Sequence, residues 1–370
     1  MMPHKKEQHS HKGHQDHHKR QHHHGDREVN GAHEIDNMSF QGPGRREDGG
    51  GSAIHMSNLR IGDLLGKGAF CEVHRGWLLK SISNQEEVAV KRVKKELRNG
   101  TQRELAMKDL LTEVEVLRRI IPHENIVKLI GFSESGDETF IVLELIPEPL
   151  VERISAWKYR NERLTSIVLI SFFQSLFGHS CCSSSERERT NLWRERVIAG
   201  RDLTAALQHL HDVAGNPNYS LIYRDLKPSN ISFHGNRLIL FDFGLAKFIP
   251  IATHEHAHIT MTPETGSVRY MAPEVHRGER YDHKADIFSL AIVLWQIFSL
   301  ETPFAHLDPP AHRRQVVDGN HRPQIDPSWS TNLQLLLRSA WAPLPNNRQD
   351  AATVLDRLNH EIQDLNALLL

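Results

Sequence analysis

The sequence predicts an α+β fold in two lobes, a small β-rich lobe followed by a larger helical one, with a cleft between them suited to a ligand. Three observations carry this prediction. From Ile61, "IGDLLGKGAFCEVHRGWL" and "EEVAVKRV" have the alternating, β-branched character of strands joined by a glycine turn. "RELAMKDLLTEVEVLRRII" then spaces apolar residues every three or four positions, as an amphipathic helix does. Beyond Pro147 helical patterns dominate, in "LWRERVIAGRDLTAALQHLHD", "DIFSLAIVLWQIF", "NLQLLLRSAW" and "AATVLDRLNHEIQDLNALL".

Composition narrows the function classes. The chain has 370 residues, 39% of them hydrophobic, enough for a sizeable core. A formal net charge of −1 supplies no global field for nucleic acid or anionic lipid. Three cysteines, with Cys181 and Cys182 adjacent, make no disulfide framework and suit a reducing compartment, so a cytoplasmic or nuclear location is expected. The start, "MMPHKKEQHSHKGH", has charge but no apolar core behind it and is not read as a secretory signal. The most apolar run, "SIVLISFFQSLFG" at 166–178, rises only about 20 Å as a helix, short of the roughly 30 Å of a bilayer core. No membrane span is expected.

Residues 1–57 are rich in His, Lys, Gln, Gly and Asp, with almost no aliphatic periodicity, and are expected to be a disordered tail. Its histidines could ligate a transition metal, but their spacing defines no geometry, and a solvated tail is the simpler reading. A domain is expected over 58–362, divided into 58–146 and 147–362, with a short tail at 363–370.

Within the first lobe, "LGKGAFCEV" places Gly66 and Gly68 in a tight turn between strands. Without a Cβ, such a backbone can approach a phosphate closely and donate N–H groups to it. Lys91 in "VAVKRV" sits among small and branched apolar residues, and the following helix offers Glu113 as a partner. Glu115 falls on a different helical face. "NIVKLIGF" and "TFIVLELI" return to strand composition.

The second lobe carries the more specific chemistry. "LIYRDLKPSNISF" puts Asp225, Lys227 and Asn230 on one short loop, after a helix ending near His211. A polar turn accounts for Pro228 but not for this set. "LILFDFGLAKF" is an apolar strand that delivers Asp242 at its end, and with Asn230 it supplies two oxygen ligands for a hard cation such as Mg²⁺.

Taken in order, these motifs resemble those of a eukaryotic-type protein kinase. "GKGAFCEV" resembles the glycine-rich loop, "VAVK" the strand lysine, "YRDLKPSN" the catalytic loop, "DFG" the metal-binding motif and "MAPE" the end of the activation segment. "DIFSLAIVLW" resembles the long helix that opens with Asp286, and "PLPNNRQD" the late motif in which Arg348 pairs with Glu274. "DLKPSN" with "GSVRYMAPE" resembles serine/threonine specificity, and the helix wording is nearest to the tyrosine-kinase-like group.

The resemblance implies a bilobal protein kinase-like fold and roles position by position. Gly66, Lys67, Gly68 and Ala69, with Val73 and Ala89, would surround ATP. Leu143, Glu144, Leu145 and Ile146 would form the hinge against adenine. Lys91, held by Glu113, would contact the α- and β-phosphates, and Asp242 with Asn230 would bind Mg²⁺ or Mn²⁺. Asp225 would accept or orient the substrate hydroxyl proton while Lys227 steadies the γ-phosphate. The implied partners are ATP, protein substrates with Ser or Thr acceptors, and an upstream kinase. A catalytically weak pseudokinase scaffold is the alternative.

Four positions depart from the family pattern. Cys71 stands in place of the third loop glycine, Tyr223 in place of the histidine before Arg224–Asp225, Ala291 in place of a helix glycine and Gln349 in place of a proline. None removes a reacting group. Arg224 beside Asp225 suggests control by phosphorylation at Thr253, Thr260, Thr262 or Thr265, near Ser267 of the substrate-facing loop. His254, His256 and His258 in "HEHAH" could share a strand face and a metal, although a solvated loop is the simpler account. Residues from about 165 to 191 are surplus to the resemblance, which resumes at Leu192. They are either a surface insertion whose apolar face needs cover, or translated intron, since "YRNERL" would join "WRERV" without them. The second reading is preferred.

Overall fold

Alternating apolar positions pair into a twisted sheet in the first lobe of this computed structural model. It describes residues 51–81, 84–97, 99–134, 139–175, 183–213, 219–250 and 268–370, all within the compact unit Pro43–Leu370. Strands β1 (Ser52–Ala53), β2 (Leu59–Lys67), β3 (Cys71–Ser81) and β4 (Asn84–Val93) precede helix α1 (Gly100–Arg119), and β5 (Leu129–Ser133) and β6 (Phe140–Glu144) follow it. The sheet order is β1-β5-β6-β4-β3-β2. Val88, Val90, Phe140 and Val142 fill one face with Ile54, Leu59 and Leu78, while Ala89, Ile141 and Leu143 join the main core with α1. Asn99 caps α1 through its side chain, which accepts from the Thr101 and Gln102 amides at 3.0 and 3.4 Å.

The second lobe begins with β7 (Glu148–Pro149) and two long helices, α2 (Leu150–Ser175) and α3 (Ser183–Val213). Short strands β8 (Tyr219–Ile222), β9 (Ile231–His234), β10 (Arg237–Leu240) and β11 (Lys247–Pro250) form two small sheets, β10-β9-β7 and β11-β8. Helices α4 (Pro273–His276), α5 (Lys284–Ser299), α6 (Pro309–His312), α7 (Thr331–Ala340) and α8 (Ala351–Leu369) complete it. Helix α5 is buried at nearly every position from Ala285 to Phe298, which explains its almost unbroken apolar sequence. The expected α+β arrangement of a β-rich lobe and a helical lobe is present. No helix among the described residues is long and apolar enough to cross a membrane.

The packed unit differs from the sequence expectation at its edges. The expected tail boundary at residue 57 falls inside ordered chain. Ser52 and Ala53 pair in parallel with Gly131 and Phe132, and Ile54 is buried with its amide donating to the Phe132 carbonyl at 2.9 Å. The glycine at 131 permits this approach, because a Cβ there would lie 2.2 Å from Ile54. The expected terminal tail at 363–370 is mostly the last turns of α8, where Leu365 joins the core. Helix α3 starts at Ser183 rather than near Leu192, and α2 runs on to Ser175, so both enter the surplus segment. The remainder of 1–57, and Cys181 and Cys182, lie outside the described residues.

One buried ion pair ties the helical lobe together. Arg348 donates from both terminal nitrogens to the Glu274 carboxylate, at 2.6 and 2.8 Å, and its guanidinium lies 5.2 Å from the Phe288 ring centroid. Both residues are almost fully buried. Removing either charge would strand the other, at a cost of about 3–5 kcal/mol. Arg348→Met and Glu274→Gln should each lower urea-unfolding stability by that amount, and the double variant by less than their sum, as measured by a double-mutant cycle.

Candidate active site

The site is built where four segments converge: the β2–β3 turn, β4 with α1, the loop between β8 and β9, and the end of β10. The loop between β8 and β9 is placed by one buried carboxylate. Asp286, in the first turn of α5 and 2% exposed, accepts from the Tyr223 and Arg224 amides, both at 2.8 Å. It also pairs with His211 Nε2 at 3.0 Å. These bonds hold Arg224 in the left-handed region, at φ 74°, a conformation a non-glycine residue adopts only when its surroundings enforce it. The Arg224 side chain donates to the Tyr281 hydroxyl at 3.0 Å.

With the backbone so held, Asp225, Lys227 and Asn230 meet. Lys227 Nζ donates to Asp225 Oδ2 at 2.6 Å. Asn230 donates from Nδ2 to both the carbonyl and Oδ2 of Asp225 at 3.0 Å, which leaves its own amide oxygen for a cation. Tyr223, fully buried, stacks edge-on against Phe243 at 5.2 Å, and its hydroxyl donates to the Phe241 carbonyl. The ring thus fills the place under Asp242–Phe243–Gly244.

Across the cleft, Lys91 on β4 donates to Glu113 Oε2 at 2.6 Å and to Asp242 Oδ1 at 2.8 Å. Glu113 is fully buried on α1 and also accepts from the Phe243 amide at 3.3 Å. Glu115, the rival position, is exposed and pairs with Arg119. Asp242 itself has φ 67°. Gly244 lies so close to α1 that a Cβ there would sit 3.2 Å from the Asp109 carbonyl.

Burial alone would lower the Lys91 pKa, but the charges of Asp242 and Glu113 raise it well above the usual lysine range. Burial would also raise the Asp242 carboxyl, yet the Lys91 ammonium, with Lys227 and the Gly244 amide, brings it below the ordinary value. Glu113 stays raised, because its burial outweighs Lys91. Burial first, then the nearby carboxylates, push the Cys71 thiol up to about 11 against the pull of Lys91, so it remains a neutral wall residue.

The glycine turn closes through the Gly68 amide, which donates to the Cys71 carbonyl at 2.9 Å. Gly66 and Lys67 end β2, Gly68 and Ala69 make the turn, and Val73 is the cross-strand partner of both Gly66 and Lys91. A Cβ at Gly66 would meet nothing within 4 Å, so open space lies over this backbone. Ala89 pairs with Leu143, and both are buried. The Glu144 carboxylate is spent on the Lys128 amide at 2.9 Å and on Arg237 at 2.7 Å. Leu145 and Ile146 pack partly buried against the core. This cradle fits a nucleoside triphosphate, with carboxylate and amide oxygens placed for a hard divalent cation.

The protein kinase domain family matches the chain over residues 59–359. The chain belongs to the protein kinase family. Among its relatives, the serine/threonine-protein kinase VIK of Arabidopsis thaliana is 30% identical, over 80% of this chain and 58% of its own. STY17 of the same plant is 28% identical, over 84% and 46%. The human serine/threonine-protein kinase TNNI3K is 26% identical, over 82% and 31%. The kinase chain spans about half the length, or less, of these curated relatives. Their character agrees with the resemblance to serine/threonine kinases of the tyrosine-kinase-like group.

All the site residues named from the sequence fall among the described residues, where hydrogen bonds join Lys91 to Glu113 and Asp242, and Asp225 to Lys227 and Asn230. Thr253, Thr260, Thr262, Thr265, Ser267 and the "HEHAH" histidines lie outside the described residues. Sequence reasoning did not give Asp286 its anchoring part. The available signal was a carboxylate opening an otherwise apolar helix.

The pKa directions set a pH dependence. Asp242, with its folded value below the unfolded carboxylate value of about 4, stabilises above that pH and loses its contribution as pH falls through the folded value. Lys91→Met would leave Asp242 and Glu113 facing each other without a cation and raise both. A raised carboxyl stabilises at low pH and loses that contribution as pH rises through the folded value. Of these two carboxyls only Glu113 is raised in the wild type. The variant, with both raised, should therefore gain more stability between pH 7 and 5 than the wild type does, in thermal unfolding across that range.

Proposed function

We propose that this protein is an active, ATP-dependent serine/threonine kinase that transfers the γ-phosphate of ATP to Ser and Thr hydroxyls of protein substrates. The observation that carries the reading is Lys91 Nζ, fixed at 2.6 Å from Glu113 and 2.8 Å from Asp242. Such a pair needs a strand of one lobe and the end of a strand of the other in register, an arrangement suited to positioning phosphates.

Gly66, Lys67, Gly68 and Ala69 close over the phosphates, and Val73, Ala89 and Leu143–Ile146 hold adenine. Lys91 orients the α- and β-phosphates, with Glu113 keeping it in place. Asp242 and the Asn230 amide oxygen would hold Mg²⁺ or Mn²⁺, which when bound would supply charge neutralisation for the transferring phosphoryl group. Asp225 takes up the substrate hydroxyl's proton, and Lys227, 2.6 Å away, steadies the γ-phosphate. Residues 58–362 form the functional domain in this reading. The bond formed is oxygen of Ser or Thr to γ-phosphorus, and ADP leaves with the electrons of the broken bond.

Regulation follows from Arg224. Phosphorylation at Thr253, Thr260, Thr262 or Thr265 by an upstream kinase would bring a phosphate with which Arg224 can pair. The reducing chemistry and ATP supply of the cytoplasm or nucleus suit such a signalling enzyme.

A Ser/Thr peptide library with labelled ATP tests the reading. Label should appear on serine or threonine but not tyrosine, and Asp225→Asn should lower the rate by about 10²–10⁴-fold, the usual worth of a positioned base. Lys91→Met and Asp242→Asn should lower it comparably or more. Equal labelling by wild type and Asp242→Asn would overturn catalysis and leave a pseudokinase scaffold.

A further inference from the structure

The helical lobe carries a cavity of about 940 Å³ that shares no residue with the cleft. Its walls come from residues 186–196 of α3, the end of α5, the loop at 324–329 and the last turns of α8. Trp193, Phe298 and Trp329 form an aromatic wall, with ring centroids 5.6–5.9 Å apart. Trp295 also lines it, its indole N–H satisfied by the Gln324 carbonyl at 2.8 Å.

Arg196 sets the chemistry of this cavity. It is only 7% exposed, lies 4.5 Å over the Trp193 ring, and donates from Nη1 to the Phe298 carbonyl at 3.0 Å. That bond caps the end of α5, an ordinary structural task that uses one of five N–H groups. Nε is buried with no partner, and among the described residues no carboxylate forms an ion pair with this guanidinium. Burial draws its pKa down to about 10, with only Glu195 opposing. A buried, uncompensated cation is costly, and an anionic oxygen would offset that cost. The remaining charges on the wall, Glu186, Arg189 and Glu301, are exposed, while Asp326 accepts from the Ser328 amide at 2.8 Å.

We propose that this cavity binds a small organic anion with a flat aromatic body, its carboxylate taken by Arg196 and its ring lodged against Trp193 and Trp329. The planar guanidinium favours a carboxylate, aromatic walls favour a flat apolar body, and the volume lies in the range of small-molecule sites. Glu186, Arg189 and Thr190, which complete one wall, belong to the segment surplus to the kinase resemblance. The site is therefore a property of this chain, and it stands whether or not phosphoryl transfer does.

The test is calorimetric titration of the full chain with 2-naphthoate and with its neutral counterpart 2-naphthylmethanol. Wild type should bind the acid saturably, and at least tenfold more tightly than the alcohol. Arg196→Met should lose roughly tenfold or more for the acid, the loss expected when a charged hydrogen bond goes, and keep its affinity for the alcohol. Thr190→Trp, which narrows the mouth from a surface position, should weaken both ligands while unfolding at the wild-type temperature. If Arg196→Met does not fold, the preference of wild type for acid over alcohol and the Thr190→Trp result decide. Absence of saturable binding, equal binding of the two ligands by wild type, undiminished acid binding by a folded Arg196→Met, or unchanged binding by Thr190→Trp would each overturn the proposal.

Discussion

The Asp286 carboxylate is the fixed point of this molecule. It is buried at the start of a helix that is itself buried on all sides, so it cannot shift without disturbing the core. Three donors from two other segments converge on it: two successive backbone amides and one imidazole. A buried carboxylate with three partners is well compensated, and its amide bonds convert the rigidity of α5 into the position of a loop that would otherwise be free to move. The left-handed backbone at Arg224 is the mark of that constraint. Asp225, Lys227 and Asn230 inherit their positions from it.

The second constraint is the sharing of one ammonium between two carboxylates. Lys91 reaches from the sheet to Glu113 on α1 and to Asp242 at the end of β10, so the geometry of each partner depends on the other. Glu113 also accepts from the Phe243 backbone, which ties α1 directly to the segment after Asp242. The close approach of Gly244 to Asp109 adds a steric term to the same contact. Rotation of α1 would break a charge pair, a backbone hydrogen bond and a packed surface together. These are the conditions under which an element moves as a unit between discrete positions.

The parts legible in the sequence were those whose chemistry is compressed into short spacing. Asp225, Lys227 and Asn230 lie within one turn-length, and Asp242 ends an apolar strand, so neighbours in sequence are neighbours in space. Glu113 rather than Glu115 could be chosen because a helix has faces, and the structure buries the first and exposes the second. What was not legible depended on distant partners. The two-residue strand at Ser52–Ala53 has no periodicity of its own and exists through pairing with Gly131 and Phe132. The charged run preceding Leu192 lacks an apolar stripe, yet these are good helix formers, and α3 continues through them from Ser183. The three bonds to Asp286 join residues 62 to 75 positions apart, and the Arg196 bond at the cavity spans 102, which local pattern does not encode.

Tyr223 has a consequence for the conditions under which the machinery keeps its shape. Where the family pattern has an imidazole, this chain has a phenol whose burial, with the charges of Asp242 and Asp225 beside it, holds its ionisation far above neutrality. An imidazole in that place could gain or lose a proton within the physiological range, altering the donor beneath the Asp242–Phe243 backbone. The phenol remains a neutral donor to the Phe241 carbonyl throughout. At this junction the protein has exchanged a titrating support for a proton-blind one, and acidification of its surroundings leaves that joint unaltered.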